Sequence, residues 1–234
     1  MLKLSPSRSG EYSRDRTSIQ ERKRSAWMRI RRAILQLIQR RLTGTCLCKD
    51  VLVVLPTEHL LRGFLFERTT EKEMYYLWRV VTPLYRPANP IFLTYSKRIS
   101  KGAKFRLNRQ GLDQTAERIT AVMSPGHLSY LRRVRGPKEF LKHVGWMTGN
   151  TTLNFNVDLA LTHYVLGDVD QCTKILGTLA LEDLPPPLRA NIVPFFTELR
   201  TSPEQAASRV QAWKRENVER LGLAETMADA AKAR

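Results

Sequence analysis

Hydrophobic positions near the start of the chain repeat with the period of an α-helix. From residue 27 onward, one face of such a helix collects apolar side chains, and the opposite face collects arginines and glutamines. The apolar positions are Trp27, Ile30, Ile34, Leu37 and Ile38. Because Thr43 and Gly44 follow, and glycine commonly ends helices, we predict a basic amphipathic helix of about four turns.

Short apolar or alternating runs follow, separated by turn-forming residues. They lie at 51–55, 60–68, 74–84 and 91–99. Each has the length of a strand and is bounded by proline, glycine or polar clusters. We predict an antiparallel meander, with a helix as the alternative for 74–81.

The alternation within these runs assigns side chains to faces of the sheet. Phe64 and Phe66 share one face, and Tyr76, Trp78 and Val80 share another, because successive side chains point to opposite sides of a strand. We expect Trp78 to be a core residue of the central strand. The alternative is an exposed binding aromatic.

The rest of the chain favours helices. The predicted helices are 112–123, 127–134 and 138–143, followed by two hairpins, 155–166 with 169–181 and 186–199 with 203–221. Ser202 before Pro203 is typical of an N-cap followed by the first helical residue. Residues 224–234 are predicted to be a frayed tail.

One predicted turn has a recognisable sequence. Residues 159–176 read LALTHYVLGDVDQCTKIL, which resembles the turn of a tetratricopeptide-type helical hairpin. A stack of such repeats would imply a partner-binding groove. A solenoid needs at least about three stacked units and one is visible here, so the resemblance indicates topology alone.

These elements predict an α+β fold, a small antiparallel β-meander with a mostly α-helical C-terminal half. We expect three regions. Residues 1–45 form a basic N-terminal tail plus the amphipathic helix, 46–145 form an α+β region, and 146–234 form a helical hairpin region packed on it.

Composition limits where the protein resides. The 234 residues are 42% hydrophobic, which suffices for a sizeable core. No apolar run approaches the roughly 20 residues of a membrane-spanning helix, and we expect a cytoplasmic protein. Residues 1–25, rich in Ser and Arg, are predicted to be disordered. The alternatives are an organelle transit peptide and a product that begins near Met28.

Positive charge is concentrated in two blocks of the chain. Residues 1–50 hold thirteen Lys or Arg against four Asp or Glu, and residues 97–142 hold twelve against three, in a chain of net charge +17. Such an imbalance predicts attraction to a polyanion. The partner is therefore expected to be an anionic macromolecule, either nucleic acid or an acidic protein face.

The second block supplies the candidate anion-binding residues. They are Lys97, Arg98, Lys101, Lys104, Arg106, Arg132, Arg133 and Arg135. Tyr95, Phe105 and Tyr130 interleave with them, and basic residues with aromatics suit phosphate contacts plus base stacking. The spacing matches no RNP, KH or zinc-finger motif. The alternative is a solvated basic face.

The amphipathic helix is a second candidate contact. Its apolar face, Trp27, Ile30, Ile34, Leu37 and Ile38, suits a partner helix or, less favoured, an anionic membrane surface. The alternative is that this face packs on the protein's own core. The sequence leaves the oligomeric state open.

No catalytic or cofactor motif is present in the sequence. Cys46, Cys48 and Cys172 are expected to be reduced thiols, and no metal or cofactor is predicted. A zinc site completed by His59 and Cys172 was the weaker alternative. His163 is expected to be a hydrogen-bonded core residue. We therefore expect a non-catalytic binding or adaptor protein, the alternative being an enzyme of unknown reaction with a site between the sheet and the helical half.

Overall fold

The computed structural model describes most of the chain from residue 28 to residue 224. The described ranges are 28–71, 73–87, 93–99, 103–107, 111–124, 126–147 and 152–224. The predicted disordered tail at 1–25 lies outside these ranges, as do Trp27, Lys101 and residues 225–234 of the predicted frayed tail.

The predicted amphipathic helix is confirmed. Helix α1 covers residues 28–41, and the turn after it contains Gly44 with a φ of 70°. This positive φ favours glycine. The Thr45 hydroxyl donates to the carbonyl of Leu42 at 2.7 Å and so fixes the chain as it enters the sheet.

Six antiparallel strands form one sheet. They are β1 (Thr45–Cys48), β2 (Val51–Val54), β3 (Leu60–Arg68), β4 (Met74–Pro83), β5 (Lys97–Arg98) and β6 (Lys104–Arg106). The order is β1-β2-β3-β4-β5, and β6 also pairs with β4. The predicted meander is confirmed over 51–84, and the helical alternative for 74–81 is wrong.

The predicted strand at 91–99 is wrong for most of its length. Strand structure is confined to Lys97–Arg98. The Ser96 N–H donates to the carbonyl of Leu93 in a turn, and the Tyr95 side chain is buried. The turn ends the alternation that a longer strand would require. Ile91 and Phe92 lie outside the described residues.

The remaining described segments are mostly helical. They are α2 (Leu112–Met123), α3 (Gly126–Arg133), α4 (Pro137–Val144), a 3₁₀ turn (Gly145–Met147), α5 (Leu153–Val165), α6 (Val169–Gly177), α7 (Pro186–Thr201) and α8 (Pro203–Leu221). Both predicted hairpins are present, although α6 ends before residue 181 and a 3₁₀ turn forms at Leu181–Asp183. Ser202 is the N-cap of α8, but its side chain makes no capping bond.

The main core lies between the inner face of the sheet and the helices. Phe64, Phe66, Tyr75 and Leu77 meet side chains from the helices along the chain, from α1 to α8, in one buried cluster. A second, smaller cluster on the outer face joins β1 and β2 to the end of α8. The predicted α+β fold with a mostly helical C-terminal half is confirmed.

Candidate functional site

The outer face of the sheet brings aromatic and basic side chains together. Trp78 pairs with Arg98 across β4 and β5, and Tyr76 pairs with Lys104 across β4 and β6. Directly opposed residues in antiparallel strands point to the same side. Arg106, two residues beyond Lys104, shares that side. We call Tyr76, Trp78, Arg98, Lys104 and Arg106 the aromatic-basic face.

Arg98 is stacked on the two rings of this face. Its guanidinium carbon lies 4.0 Å from the ring centroid of Tyr76 and 4.8 Å from that of Trp78. The Lys104 ammonium lies 5.9 Å from the Tyr76 centroid. These are cation–π distances, so the cations and rings form one layer on the sheet.

Glu67 fixes the geometry of that layer. Its carboxylate accepts a hydrogen bond from Trp78 Nε1 at 2.8 Å and lies 3.6 Å from Arg98 Nη2. Lys104 is paired in turn with Glu71. The Arg98 side chain remains 45% exposed, so a planar ligand can reach the guanidinium from the solvent side.

A buried polar chain anchors the segment that leads into Arg98. The Tyr95 hydroxyl donates to Asp158 on α5 at 2.6 Å, and its carbonyl accepts from His143 Nε2 on α4 at 2.9 Å. Asp158 also accepts from Arg86 at 2.8 Å. The other nitrogen of His143 bonds to Tyr130, whose ring lies under Arg79. Tyr95 is thus held by both α4 and α5, two residues before β5.

The central carboxyl of this chain is inaccessible. Asp158 is 0% exposed, and burial raises its pKa to about 6, although the charge of Arg86 and the hydrogen bond from Tyr95 both lower it. Oδ1 has no hydrogen-bond partner within the described ranges. A group so enclosed cannot contact a substrate, and we assign this chain a structural role.

The basic residues predicted to bind an anion do not lie on one common surface. Arg98, Lys104 and Arg106 lie on the aromatic-basic face. Lys97 is exposed but alternates to the other side of β5, opposite Arg79. Lys101 lies outside the described residues.

The remaining predicted arginines lie near the opposite edge of the sheet. Arg132 donates to the carbonyl of Thr43 at 2.6 Å, just before β1, and Arg135 donates to the carbonyl of Arg132 at 3.0 Å. Arg133 is exposed on the last turn of α3. Arg40 borders a shallow concavity at the same Thr43–Gly44 turn. We call Arg40, Arg132, Arg133 and Arg135 the arginine cluster.

The aromatics that the sequence offered for base stacking pack against the protein's own core, although Phe105 and Tyr130 are half-buried, as Tyr76 and Trp78 are. Tyr95 is buried, and Phe105 and Tyr130 pack against the main core. Tyr76 and Trp78 take their place. The i, i+2 spacing on a strand had placed these two on one face, whereas the three residues of β6 are too few to show a period in the sequence.

Trp78 is not a core residue. Its indole is half-buried on the outer face, whereas Tyr75 and Leu77 of the same strand are buried on the inner face. The core assignment made from the sequence is therefore wrong, because it reversed the two faces of β4. The exposed-aromatic alternative describes this residue better.

The apolar face of α1 is occupied by the protein's own core. Ile30, Ile34 and Ile38 are buried there, and Leu37 packs against them. The self-packing alternative describes this helix, because a partner or membrane would have to pull these side chains out of the core. None of the described helices combines the length and hydropathy that crossing a membrane requires.

The cysteines and histidines form no metal cluster among the described residues. All three cysteines are buried, and burial raises the pKa of Cys172 to about 12. Burial lowers the pKa of His59 and of His143. His163 is half-buried rather than in the core, and its Nδ1 lies 3.0 Å from Asp168. Apart from Cys46 and Cys48, which are neighbours on β1, these groups are dispersed over the described part of the fold.

Comparison of the chain with protein-family models, with curated proteins and with solved structures gives no match. Function is therefore argued from the geometry alone.

Proposed function

We propose that this is a non-catalytic binding protein whose aromatic-basic face holds single-stranded nucleic acid. The observation that carries the proposal is the position of Arg98, stacked over Tyr76 and Trp78 with its other side toward solvent. Bases stack on aromatic rings and on guanidinium planes. Lys104 and Arg106 beside them supply cations for phosphate.

A single strand suits this surface better than a duplex. The rings of Tyr76 and Trp78 project from alternate positions of one strand, about 6.7 Å apart along it. Stacking on them requires exposed base faces, which a duplex keeps in its interior. Neighbouring unpaired bases of one strand meet that requirement.

The other readings have less support. An acidic protein face would use the cations but gives no role to two adjacent rings beneath Arg98. An enzyme site between the sheet and the helical half has less support because Asp158, the buried carboxyl in that region, is fully enclosed. A cytoplasmic location is part of the proposal and is supported by the sequence, in which three cysteines, two of them in a tight Cys-X-Cys pair, do not form a disulfide framework.

The proposal is tested by fluorescence anisotropy with a short labelled single strand of random sequence. Affinity should fall steeply between about 50 and 200 mM salt, and Lys104→Gln with Arg106→Gln should flatten the logarithmic slope by about 0.7 per lost phosphate contact. Trp78→Ala should weaken binding roughly 5- to 150-fold, since stacking contributes about 1–3 kcal/mol per base, while leaving the slope unchanged.

A charge-matched control distinguishes binding at the aromatic-basic face from a general attraction of nucleic acid to positive charge. Lys174 and Arg200 are exposed on α6 and α7, and their replacement by Gln should leave affinity within about twofold. Absence of binding at low salt would contradict the proposal. The proposal would also be contradicted if polyglutamate competed equally well with the oligonucleotide and if its binding were unchanged in the Trp78→Ala variant. That result would indicate an acidic protein partner.

A further inference from the structure

Two thiols lie side by side on an edge strand of the sheet. Cys46 and Cys48 are alternate residues of β1, so both point to the outer face, and their Sγ atoms are 3.3 Å apart. β1 is the first strand in the sheet order. The pair forms a dithiol at the border of the sheet, away from the aromatic-basic face on β4 to β6.

The surroundings of this dithiol are apolar. Cys46 is 8% exposed and Cys48 is 4% exposed, within a cluster that includes Val51, Val53 and Leu61. Thiolate ligands in such surroundings select soft, thiophilic elements over hydrated hard cations. The pair therefore suits a ligand that forms bonds to sulfur and carries little charge.

Strand geometry disfavours a disulfide between these residues. Residues two apart in a strand have Cα atoms about 6.6–6.8 Å apart, at the upper end of the range of about 4.4–6.8 Å found for disulfides. Closing the bond would shorten β1 and disturb its pairing with β2. The extended strand keeps the two sulfurs adjacent as thiols.

We propose that Cys46 and Cys48 form a binding site for a trivalent metalloid, of the class of monosubstituted arsenic(III) compounds. Two bonds of about 2.3 Å, the length of a zinc–thiolate bond, to sulfurs 3.3 Å apart enclose an angle of about 90°. That angle suits a pyramidal centre with a lone pair. Tetrahedral zinc needs a wider angle and two more ligands, and no group of three His, Cys, Asp or Glu is assembled in the described ranges.

The binding reaction is a condensation without oxidation or reduction. With an arsenoxide, R–As=O, each Sγ forms one bond to arsenic while both S–H bonds break. The oxygen leaves arsenic as water and carries the two thiol protons. Arsenic stays trivalent and keeps its organic substituent.

The end of α8 packs in the same apolar cluster as the dithiol. Leu221 and Leu223 pack in the same cluster as the cysteines, and Gly222 between them ends the helix with a φ of 70°. Helix ends open more readily than a packed core. Trimming one of these leucines should therefore speed the reaction without altering the two sulfurs.

The test is intact-mass spectrometry of the reduced full chain, folded, after addition of one equivalent of phenylarsine oxide. We expect one adduct, heavier by the reagent less one water. Excess 2,3-dimercaptopropanol should remove it, whereas an equal concentration of a monothiol should not. Leu223→Ala should form the same adduct faster.

The cysteine variants assign the site. Cys46→Ala and Cys48→Ala should each abolish the dithiol-reversible adduct, and Cys172→Ala should retain it, because Cys172 lies alone on α6. The proposal is overturned if the folded wild-type chain gives no adduct, if Cys46→Ala keeps it, or if Cys172→Ala loses it. None of these outcomes depends on nucleic-acid binding.

Discussion

Tyr95 is the residue through which the helical half holds the strand that carries Arg98. Its carbonyl oxygen can only accept, so His143 Nε2 carries a proton. Because burial lowers the pKa of His143, the second nitrogen, Nδ1, is unprotonated at pH 7 and accepts from the Tyr130 hydroxyl. This assignment makes His143 neutral. The Tyr95 hydroxyl meanwhile donates to the Asp158 carboxylate. Tyr95 is thus bonded to α5 through its hydroxyl and to α4 through its carbonyl, and His143 extends this chain of hydrogen bonds to Tyr130 on α3.

The neutral state of His143 predicts a pH dependence of stability. Burial lowers the pKa of His143 below its ordinary 6.5, so the unfolded chain binds the proton more tightly. The stabilisation of the folded state by neutral His143 is present above about pH 6.5 and is lost as the pH falls through the pKa of His143 in the folded protein. Urea unfolding of the wild type and of His143→Gln should show a smaller loss in the variant below pH 6.5.

Gln is chosen because its amide reproduces both hydrogen bonds. The NH₂ group can donate to Tyr95 and the oxygen can accept from Tyr130 without a titratable proton. At pH 7.5 the two proteins should differ by about 1 kcal/mol or less. Parallel stability curves over pH 5 to 7.5 would contradict the assignment.

Asp158 predicts a large effect of a small substitution. Asp158→Asn leaves the buried Arg86 guanidinium without its carboxylate, and breaking a buried pair costs about 3–5 kcal/mol. Thermal and urea unfolding at pH 7 measure this. The double variant Arg86→Met with Asp158→Leu removes both charges and should recover most of the loss. An Asp158→Asn protein as stable as wild type would show that the pair is not the anchor.

Strand β4 separates the structural and binding roles by its two faces. Tyr75 and Leu77 point to the main core, while Tyr76 and Trp78 point outward beside Arg98. Gly63 on β3 lies opposite Val80, and a Cβ there would collide with the Leu52 carbonyl of β2. A side chain at position 63 would therefore force β2 and β3 apart.

The two faces predict different costs for removing an aromatic ring. Phe64→Ala on the inner face should cost about 3–5 kcal/mol because it leaves a core cavity. Trp78→Ala on the outer face should cost clearly less, about 1–2 kcal/mol, since a half-buried ring leaves no closed cavity. Urea unfolding of both variants gives the comparison. Equal losses of unfolding free energy in the two variants would indicate that Trp78 is a core residue.

Periodic segments of the sequence predicted their elements well, and short ones did not. Strand 60–68 and helices 112–123 and 203–221 have the predicted bounds, because their patterns are long and end at clear breakers. The sequence did not predict β1 or β6, because the four residues of β1 and the three residues of β6 are too few to show a period. The 91–99 run failed because Tyr95 turns inward to Asp158, a contact 63 residues away that no local pattern encodes.

At the scale of the whole molecule, charge along the chain does not map onto one surface. Arg98 and Arg132 belong to one basic block of sequence, yet they lie toward opposite ends of the strand order β1-β2-β3-β4-β5. Four strand spacings make this about 19 Å. The sequence identified the arginines and the fold class. It could not identify the aromatic-basic face, which depends on β4 pairing with both β5 and β6.

The location of the bound strand tests the central claim most directly. Ultraviolet cross-linking of a saturating single-stranded oligonucleotide, followed by peptide mass spectrometry, should place the cross-links on Tyr76 and Trp78. Cross-links confined to the arginine cluster at the Thr43–Gly44 turn, or their absence when binding is saturated, would contradict the aromatic-basic face as the binding site.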